Sequence, residues 1–287
     1  MQPTKTAFVF AGGGSLGAIQ AGMLQALTAA GVKPDFVVGA SVGAINAAYY
    51  AQYPDREGVE RLAEIWRGVR RSQVMPVSVW RAFLGLFLRN HLMSNSGLRK
   101  LFERHLGGTN LEDSPLERHL LATNLSDGGK VLISEGDTVQ ALLASTAIPA
   151  VFPPIRMAGR YLMDGGVASI TPIEAAIRRG AERLIVLPTG LSCARDRDVV
   201  PKTTFEMSLY AINLLISGQL VSDIIRYREE ARISIVPPPC PLDISLFSFD
   251  GTPELIERGR QDAQNWLNEG GLERSDMPDA LQPRRYF

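Results

Sequence analysis

Residues 6–17 read TAFVFAGGGSLG, and this stretch decides the class of fold. Its first six residues, TAFVFA, are rich in aromatic and β-branched side chains, which is typical of a short buried strand. The glycine run follows directly. Residues 18–31 then carry apolar side chains at helical spacing and stop at Gly31, a residue suited to end a helix. A strand, a glycine loop and a helix in this order predict the first half of a βαβ unit.

The chain beyond this helix completes the unit. Residues 35–40, DFVVGA, form a second apolar run, and SVGAINAAYYAQ is predicted to form another helix. Consecutive strand-helix pairs imply a parallel sheet that helices cover. Further strands are predicted at LLATNL, KVLISE, YLMD and LIVLP. We therefore expect an α/β protein of three layers, α/β/α, with a mostly parallel central sheet.

Composition argues against several classes of protein. The 287 residues are 45% hydrophobic with a formal net charge of +0, so no overall field attracts nucleic acid. The two cysteines, Cys193 and Cys240, form neither a disulfide framework nor a metal-ligand cluster. The N-terminal residues lack the long apolar stretch of a signal peptide, and no apolar run of about 18 residues predicts a transmembrane helix. We expect a cytoplasmic protein, either free or peripheral at a membrane.

The glycine run is compatible with two kinds of site. Gly12, Gly14 and Gly17 have the G-x-G-x-x-G spacing of a dinucleotide-binding loop. Such a site needs an acidic residue at the carboxyl end of the second strand, and Asp35 stands at the beginning of that strand instead. Backbone N–H groups of a glycine loop at a helix N-terminus also stabilise an oxyanion. We favour the oxyanion loop.

Residues 39–43, GASVG, match the G-x-S-x-G pattern of a nucleophilic serine. In that pattern Gly39 and Gly43 let neighbouring backbone pass close to a tight strand-to-helix turn, and Ser41 lies at the helix N-terminus. A close-packed turn with a capping serine is the alternative. Carboxyl ends of parallel strands meet at one sheet edge, so Ser41 and the glycine loop are expected to share a site.

The histidines do not suggest a partner for this serine. The chain has three, His91, His105 and His119, and all of them precede the later acidic candidate, unlike the serine-acid-histidine order of an α/β-hydrolase. His105 and His119 lie in the charged stretches FERHL and LERHL, which predict helical surface positions. An ordinary Ser-His-Asp hydrolase is therefore disfavoured.

An aspartate is the better candidate for the proton acceptor. Asp164 ends the predicted strand YLMD, and Gly165 and Gly166 follow it and leave its carboxylate accessible. An exposed aspartate is a weak base, and partial desolvation would raise its pKa and strengthen it. The alternative is an Asp-Gly turn without a catalytic role.

The motifs GGGSLG, GASVG and DGG occur in that order, and with them the chain resembles the bacterial type of the patatin-like phospholipase family. ASTAIPAVFPP, residues 144–154, resembles the segment before that family's aspartate, and the resemblance extends from about residue 6 to at least residue 190. It implies acyl ester cleavage by Ser41 as nucleophile and Asp164 as proton acceptor. The implied oxyanion loop is Gly12, Gly13 and Gly14. The glycines that support the motifs are Gly17, Gly39, Gly43, Gly165 and Gly166.

The resemblance implies a lipid or other acyl ester as substrate, transient contact with a membrane surface, and no cofactor or metal. Many members of the family carry Arg or Lys where this chain has Leu16, which puts a contact of that cation in doubt. A transacylase with the same dyad and a non-catalytic lipid-binding module are the alternatives. The headgroup, the acyl chain length and the oligomeric state are left open.

One domain over residues 1–287 is expected, with a core at about 6–190, a helical cap at about 57–121 and C-terminal helices at about 203–270. The apolar segment 77–93 is either a core helix beneath the cap or an amphipathic lid that touches membrane or acyl chains. Residues 205–221 are a second candidate for an acyl-chain wall, with plain core as the alternative.

Overall fold

The computed structural model describes residues 4–74, 90–190, 204–240 and 248–275. In these residues one mixed sheet contains eight strands. They are β1 (Thr6–Phe10), β2 (Phe36–Ala40), β3 (Glu117–Asn124), β4 (Lys130–Ile133), β5 (Ile155–Met157), β6 (Arg160–Asp164), β7 (Arg183–Leu187) and β8 (Arg232–Ile235). The strand order is β5-β6-β3-β2-β1-β7-β8, and β4 pairs with β3 beside this path.

Strands β3, β2, β1, β7 and β8 run parallel to one another, whereas β4 and β6 run antiparallel to β3, and β5 antiparallel to β6. Helices flank this sheet. They are α1 (Gly17–Ala29), α2 (Val42–Gln52), α3 (Arg56–Gly68), α4 (Arg71–Val74), α5 (Ser96–Leu106), α6 (Thr138–Ser145), α7 (Ile173–Arg178), α8 (Thr204–Tyr227) and α9 (Thr252–Asn268). The predicted α/β fold with a mostly parallel sheet is confirmed.

Both faces of the sheet are covered, which is why β2 is apolar at every position and β1 at every position after Thr6. Along β1, Phe8 and Phe10 point to a core built with α1, α2, α3, α5, α6 and α9. Ala7 and Val9 point to a second core, on the opposite face, built with α7 and α8. The two cores make the three layers expected from the sequence.

Three sequence predictions are wrong. His119 is neither helical nor exposed: it lies in β3, is buried, and bonds to Ser134 and Glu117 through its two ring nitrogens. The charged residues around it in LERHL are typical of an exposed helix, whereas this stretch leads into a strand whose two faces are both covered. The helical region expected to reach residue 121 therefore ends before Glu117, and a further strand, β8, separates the C-terminal helices α8 and α9.

The segment 75–89 lies outside the described residues, and with it most of the predicted lid at 77–93. For α8, side chains are described at only some positions before Leu220, so the proposed wall at 205–221 is not settled. Cys240, which follows β8, is disulfide-bonded, so a count of two cysteines does not exclude a single disulfide.

Candidate active site

Ser41 occupies the sharp turn between β2 and α2, with φ 53° and ψ −127°. A non-glycine residue rarely adopts this conformation, which costs on the order of 1–3 kcal/mol. The flanking glycines allow the turn. A Cβ on Gly39 would lie 2.4 Å from the Gly43 carbonyl oxygen, and a Cβ on Gly43 would lie 2.3 Å from the Phe10 carbonyl oxygen. This strained turn places the Ser41 side chain at the N-terminus of α2.

The structure brings Ser41 and Asp164 together. The Ser41 hydroxyl donates a hydrogen bond to Asp164 Oδ2 at 2.7 Å, and the Gly166 N–H donates to Asp164 Oδ1 at 2.7 Å. Both side chains are buried, with 7% of Ser41 and 5% of Asp164 exposed. Burial raises the pKa of Asp164 to about 6, and the two hydrogen bonds oppose that rise. The carboxylate is thus a stronger base than an exposed aspartate.

Asp164 reaches this edge of the sheet because β6 runs antiparallel to its neighbour. Strand β3 is longer than β2 and extends beyond it, since Leu121 pairs with Ala40 while three further residues follow to Asn124. Strand β6 begins opposite that extension and runs back, so that Asp164 pairs with Ala122. Its last residue therefore ends beside the carboxyl end of β2.

The glycine loop lies beside the serine, and its N–H groups have different uses. The Gly12 N–H donates to the Ile170 carbonyl oxygen at 2.8 Å, so it is engaged within the fold. Within the described residues, neither the Gly13 nor the Gly14 N–H donates to a protein acceptor. Gly13 has φ 154°, and a Cβ there would lie 2.0 Å from Thr189 Oγ1. Among the described residues, these two donors next to Ser41 are therefore without an acceptor.

The other glycines predicted to support the motifs lie in the same region. Gly17 is the first residue of α1. A Cβ on Gly165 would lie 2.1 Å from the Leu121 carbonyl oxygen, which only glycine allows at this distance. Asp35, in contrast, accepts a hydrogen bond from the Thr6 N–H at the opposite edge of the sheet. It cannot bind a ribose there, which counts against the dinucleotide alternative.

A cavity of about 100 Å³ opens beside Ser41. Its walls are mostly aliphatic and aromatic side chains from α2, α3 and α5. The lining residues are Gly14, Ser15, Ser41, Val42, Ile45, Tyr49, Leu62, Ile65, Trp66, Val69, Val74, Leu98, Leu101, Phe102, His105, Leu106, Thr146, Ile148, Phe152 and Phe249. A nucleophile at the mouth of an apolar cavity is suited to a substrate with a hydrocarbon chain.

Comparison with known proteins agrees with this geometry. A family model described as "Patatin-like phospholipase" matches residues 8–177, which is more than half of the chain. The chain belongs to the patatin-like phospholipase family. The match spans the glycine loop, the serine turn, Asp164 and the glycines after it.

Curated relatives include patatin-like phospholipase domain-containing proteins of animals and lysophospholipases of yeasts. A patatin-like phospholipase domain-containing protein of Caenorhabditis elegans, ZK370.4, is 29% identical over 189 residues, which cover 63% of this chain and 13% of that protein. Lysophospholipase NTE1 of Saccharomyces cerevisiae is 27% identical and covers 63% of this chain and 10% of that protein. The chain thus spans a small part of the length of these relatives.

Solved structures with the same fold include VipD from Legionella pneumophila, with a TM-score of 0.51 and 17% identity over 93% of this chain and 67% of that chain. Human GIVD cytosolic phospholipase A2, in complex with a methyl γ-linolenyl fluorophosphonate inhibitor, also has a TM-score of 0.51, with 13% identity over 97% of this chain and 60% of that chain. These likenesses concern the fold.

The histidines of this family member lie away from the serine-aspartate pair. None of the three, all within the described residues, hydrogen-bonds to Ser41 or Asp164. His91 bonds to Asn90, and the half-buried His105 lines the cavity rather than the surface. Burial lowers the pKa of His105 below its usual value.

In the described parts of the chain no group of His, Cys, Asp and Glu residues could hold a metal ion, and no helix could span a membrane.

Sequence reasoning missed several residues that support the site. The Ser41 N–H donates to Ser145 Oγ at 3.1 Å, and Ser145 in turn donates to the Leu121 carbonyl oxygen. Gln20 and Asn46 are fully buried beneath the glycine loop. The available signal was one amide residue within each of two apolar stretches, Gln20 in AIQAGML and Asn46 in GAINAAYY. At the position where many family members have a cation, Leu16 is buried in the core.

Proposed function

We propose that this protein hydrolyses acyl esters of lipids, with Ser41 as the nucleophile and Asp164 as the base. The observation that supports this most directly is the 2.7 Å hydrogen bond between the Ser41 hydroxyl and Asp164 Oδ2 at the mouth of an apolar cavity. Membership of the patatin-like phospholipase family supports the same chemistry. The names of its relatives, among them a lysophospholipase, favour a lipid with an acyl ester as the substrate.

In the first half of the reaction, the ester carbonyl oxygen lies against the N–H groups of Gly13 and Gly14. Ser41 Oγ attacks the carbonyl carbon while its proton passes to Asp164. The negative charge that develops on the oxygen is stabilised by the two N–H groups. The tetrahedral intermediate then collapses, the bond to the alcohol breaks, and the alcohol leaves with the proton held by Asp164. An acyl group remains on Ser41.

In the second half, a water molecule gives its proton to Asp164 and attacks the acyl carbon. The bond to Ser41 Oγ breaks, the proton returns to the serine, and the carboxylic acid leaves. During both halves the acyl chain occupies the apolar cavity, where removing hydrocarbon from water contributes about 25 cal/mol per Å². The headgroup faces the opening.

The experiment that tests this function measures hydrolysis of acetyl and decanoyl p-nitrophenyl esters and of one phospholipid. Wild type is compared with Ser41→Ala and Asp164→Asn, and with Asp127→Asn as a matched control at an exposed turn. We expect turnover by wild type and Asp127→Asn, loss to background in both site variants, and equal amounts of alcohol and acid as products. Full activity of Ser41→Ala would show the proposed nucleophile to be wrong.

We also propose contact with a lipid surface at the edge of the sheet that carries Ser41. Val167, in the turn after Asp164, is half exposed, and Leu215 of α8 is 73% exposed. Gln219 of α8 hydrogen-bonds to the backbone of Ala168, so both apolar side chains lie near the turn that carries the base. Sedimentation with phosphatidylcholine vesicles is expected to decrease for Leu215→Ser, and unchanged sedimentation would contradict this contact. A cytoplasmic location stays a prediction.

A further inference from the structure

A closed set of buried hydrogen bonds lies beneath the glycine loop. Its members are the side chains of Gln20 in α1, Asn46 in α2 and Trp66 in α3, which we call the loop clamp. Gln20 and Asn46 are fully buried, and Trp66 is 7% exposed. Burying polar amides among apolar helices is unfavourable unless each polar atom has a partner. The hydrogen-bond partners of these polar atoms indicate the role of the clamp.

Gln20 holds the beginning of the glycine loop. Its Nε2 donates to the carbonyl oxygens of Ala11 and Leu187, each at 2.8 Å. Ala11 immediately precedes Gly12, and Leu187 is the last residue of the neighbouring strand β7. Both N–H donors of one amide are therefore used to fix the point at which β1 passes into the loop.

Asn46 holds the end of the same loop. Its Nδ2 donates to the Gly17 carbonyl oxygen at 2.8 Å and to Gln20 Oε1 at 2.7 Å. Trp66 Nε1 donates to Asn46 Oδ1 at 2.9 Å. Every polar atom of the two amides is thus paired, which leaves one orientation for each and makes the set rigid.

We propose that the loop clamp positions the N–H groups of Gly13 and Gly14 for stabilising the oxyanion. Residues 12–14 carry no side chain, so the loop is held through its backbone. Ile170 and Thr189 hold Gly12 by hydrogen bonds to its N–H and its carbonyl oxygen, and the position of Gly13 and Gly14 then depends on the two ends of the loop. The clamp binds both ends, at Ala11 and Gly17, and joins them through the hydrogen bond between Asn46 and Gln20. This inference rests on the proposed function, because it assigns the clamp a task in that reaction.

The expected effect follows from how steeply catalysis depends on position. A misplacement of about 1 Å can cost on the order of 100-fold in rate, and loss of one oxyanion donor costs about 100- to 1000-fold. Loosening one end of the loop is expected to cost less than losing a donor. Gln20, Asn46 and Trp66 do not touch the reacting atoms, so they are positioning residues.

The test uses Gln20→Met and Asn46→Leu, which remove polar atoms and largely keep the side-chain shape. A third variant, Trp66→Phe, removes the indole N–H and also reduces a side chain that lines the cavity. Ser234→Ala in β8, at the far edge of the sheet, is the matched control, since it deletes a partly buried hydrogen bond from the Ser234 hydroxyl to the Arg274 carbonyl oxygen. The active fraction is titrated with a fluorophosphonate. For each protein, kcat and KM for the decanoyl ester, inhibition by a decyl trifluoromethyl ketone, and Tm are measured.

We expect kcat per active site to decrease about 10- to 100-fold in Gln20→Met and Asn46→Leu, with KM within about twofold of wild type. The trifluoromethyl ketone adds to Ser41 and bears an oxyanion, so its affinity is expected to decrease by a similar factor. Trp66→Phe removes only the outermost N–H and is expected to lower kcat about threefold to tenfold. Ser234→Ala is expected to lower Tm alone.

Unchanged kcat in folded variants would overturn the proposal. A decreased kcat without weaker binding of the ketone would also overturn it, because the loss would then not lie in the stabilisation of the oxyanion. If Gln20→Met and Asn46→Leu fail to fold, Trp66→Phe decides, measured with the acetyl ester because Trp66 also lines the acyl-chain cavity. Failure of the proposed function is distinguishable, since Ser41→Ala would then retain wild-type activity.

Discussion

At the scale of single residues, Ser41 and Asp164 are each held by the surrounding fold in an energetically unfavourable state. Ser41 has a positive φ, and Asp164 is an acid buried where its charge is disfavoured. The Asp164 carboxylate nevertheless accepts two hydrogen bonds, which favour its ionised form. With its pKa raised to about 6, Asp164 changes its charge state close to neutral pH.

The first prediction concerns the pH dependence of activity. Asp164 accepts a proton from Ser41 only when it is ionised, and its pKa is raised to about 6. We expect kcat/KM to increase with pH, with a midpoint near 6, and to level off above it. A pH–rate profile with the decanoyl ester measures this. A midpoint near 4, the ordinary value for aspartate, would contradict a buried base.

The second prediction concerns stability. The pKa of Asp164 is about 6 in the folded protein and 3.8 in the unfolded reference, so protonation favours the folded state. The resulting stability is fully present below about pH 3.8 and is lost as pH rises through 6. Above pH 7 the ionised carboxylate costs about 3 kcal/mol. Asp164→Asn is therefore expected to be inactive yet to have a higher Tm than wild type at pH 8.

Thermal unfolding at pH 8 and at pH 4 measures this effect. The difference in Tm between Asp164→Asn and wild type is expected to shrink toward pH 4, where wild type is protonated. Asp127→Asn, at an exposed turn, is the control and is expected to show no such trend. An equal difference at both pH values would argue against charge burial as its cause.

At the scale of elements, α2 serves two purposes at once. Its first turn follows Ser41, and its side chains Val42, Ile45 and Tyr49 line the cavity at helical spacing. From Val42 to Tyr49 the helix rises roughly 10 Å. These three side chains therefore form an extended wall of the cavity that begins at the nucleophile, and such a wall suits a linear acyl chain.

The third prediction tests this wall. Ile45→Trp places a larger side chain midway along the cavity, so it is expected to lower kcat/KM for the decanoyl ester by about 10-fold or more. The acetyl ester does not reach that depth, and its kcat/KM is expected to stay within about twofold. Leu125→Trp, at a side chain that is 48% exposed, is the control. Equal losses for both esters would mean that the cavity does not hold the chain.

At the scale of the whole molecule, the C-terminal helix α9 lies outside the stretch matched by the family model, yet it is part of the same core. It crosses α1 at two glycines. A Cβ on Gly22 would lie 1.9 Å from the Ile256 carbonyl oxygen, and a Cβ on Gly259 would lie 2.5 Å from the Ile19 carbonyl oxygen. Because α1 begins at the glycine loop, α9 supports the helix that carries the site.

The fourth prediction tests this crossing. In an open helix, Gly→Ala stabilises by about 1 kcal/mol through helix propensity. At Gly259 the backbone contact outweighs that gain, and we expect Gly259→Ala to lower the free energy of unfolding by about 1–3 kcal/mol. Gly218→Ala in α8 is the matched control and is expected to be neutral or stabilising, because a Cβ there would meet no atom of the described residues within 4 Å. Urea unfolding measures both, and a stabilised Gly259→Ala would exclude a tight crossing.

Local patterns predicted the central elements well. The apolar runs of β1, β2 and β7 and the turn in GASVG depend on neighbouring residues only, and so does the helix after each of the first two strands. The sequence pattern gave a wrong prediction where charged residues lie in a buried strand. His119 and its charged neighbours lie in β3 because a strand in the middle of the sheet has both faces covered.

The sequence by itself determined the class of fold, the strained serine turn and the candidate pair Ser41 and Asp164, since each rests on a short motif. Only the tertiary structure decided that these two side chains meet, because 123 residues separate them and the direction of β6 depends on its pairing with β3. It also decided which loop N–H groups remain free and how Gln20, Asn46 and Trp66 join. Such contacts depend on helices packing across one another, and no local pattern contains that information.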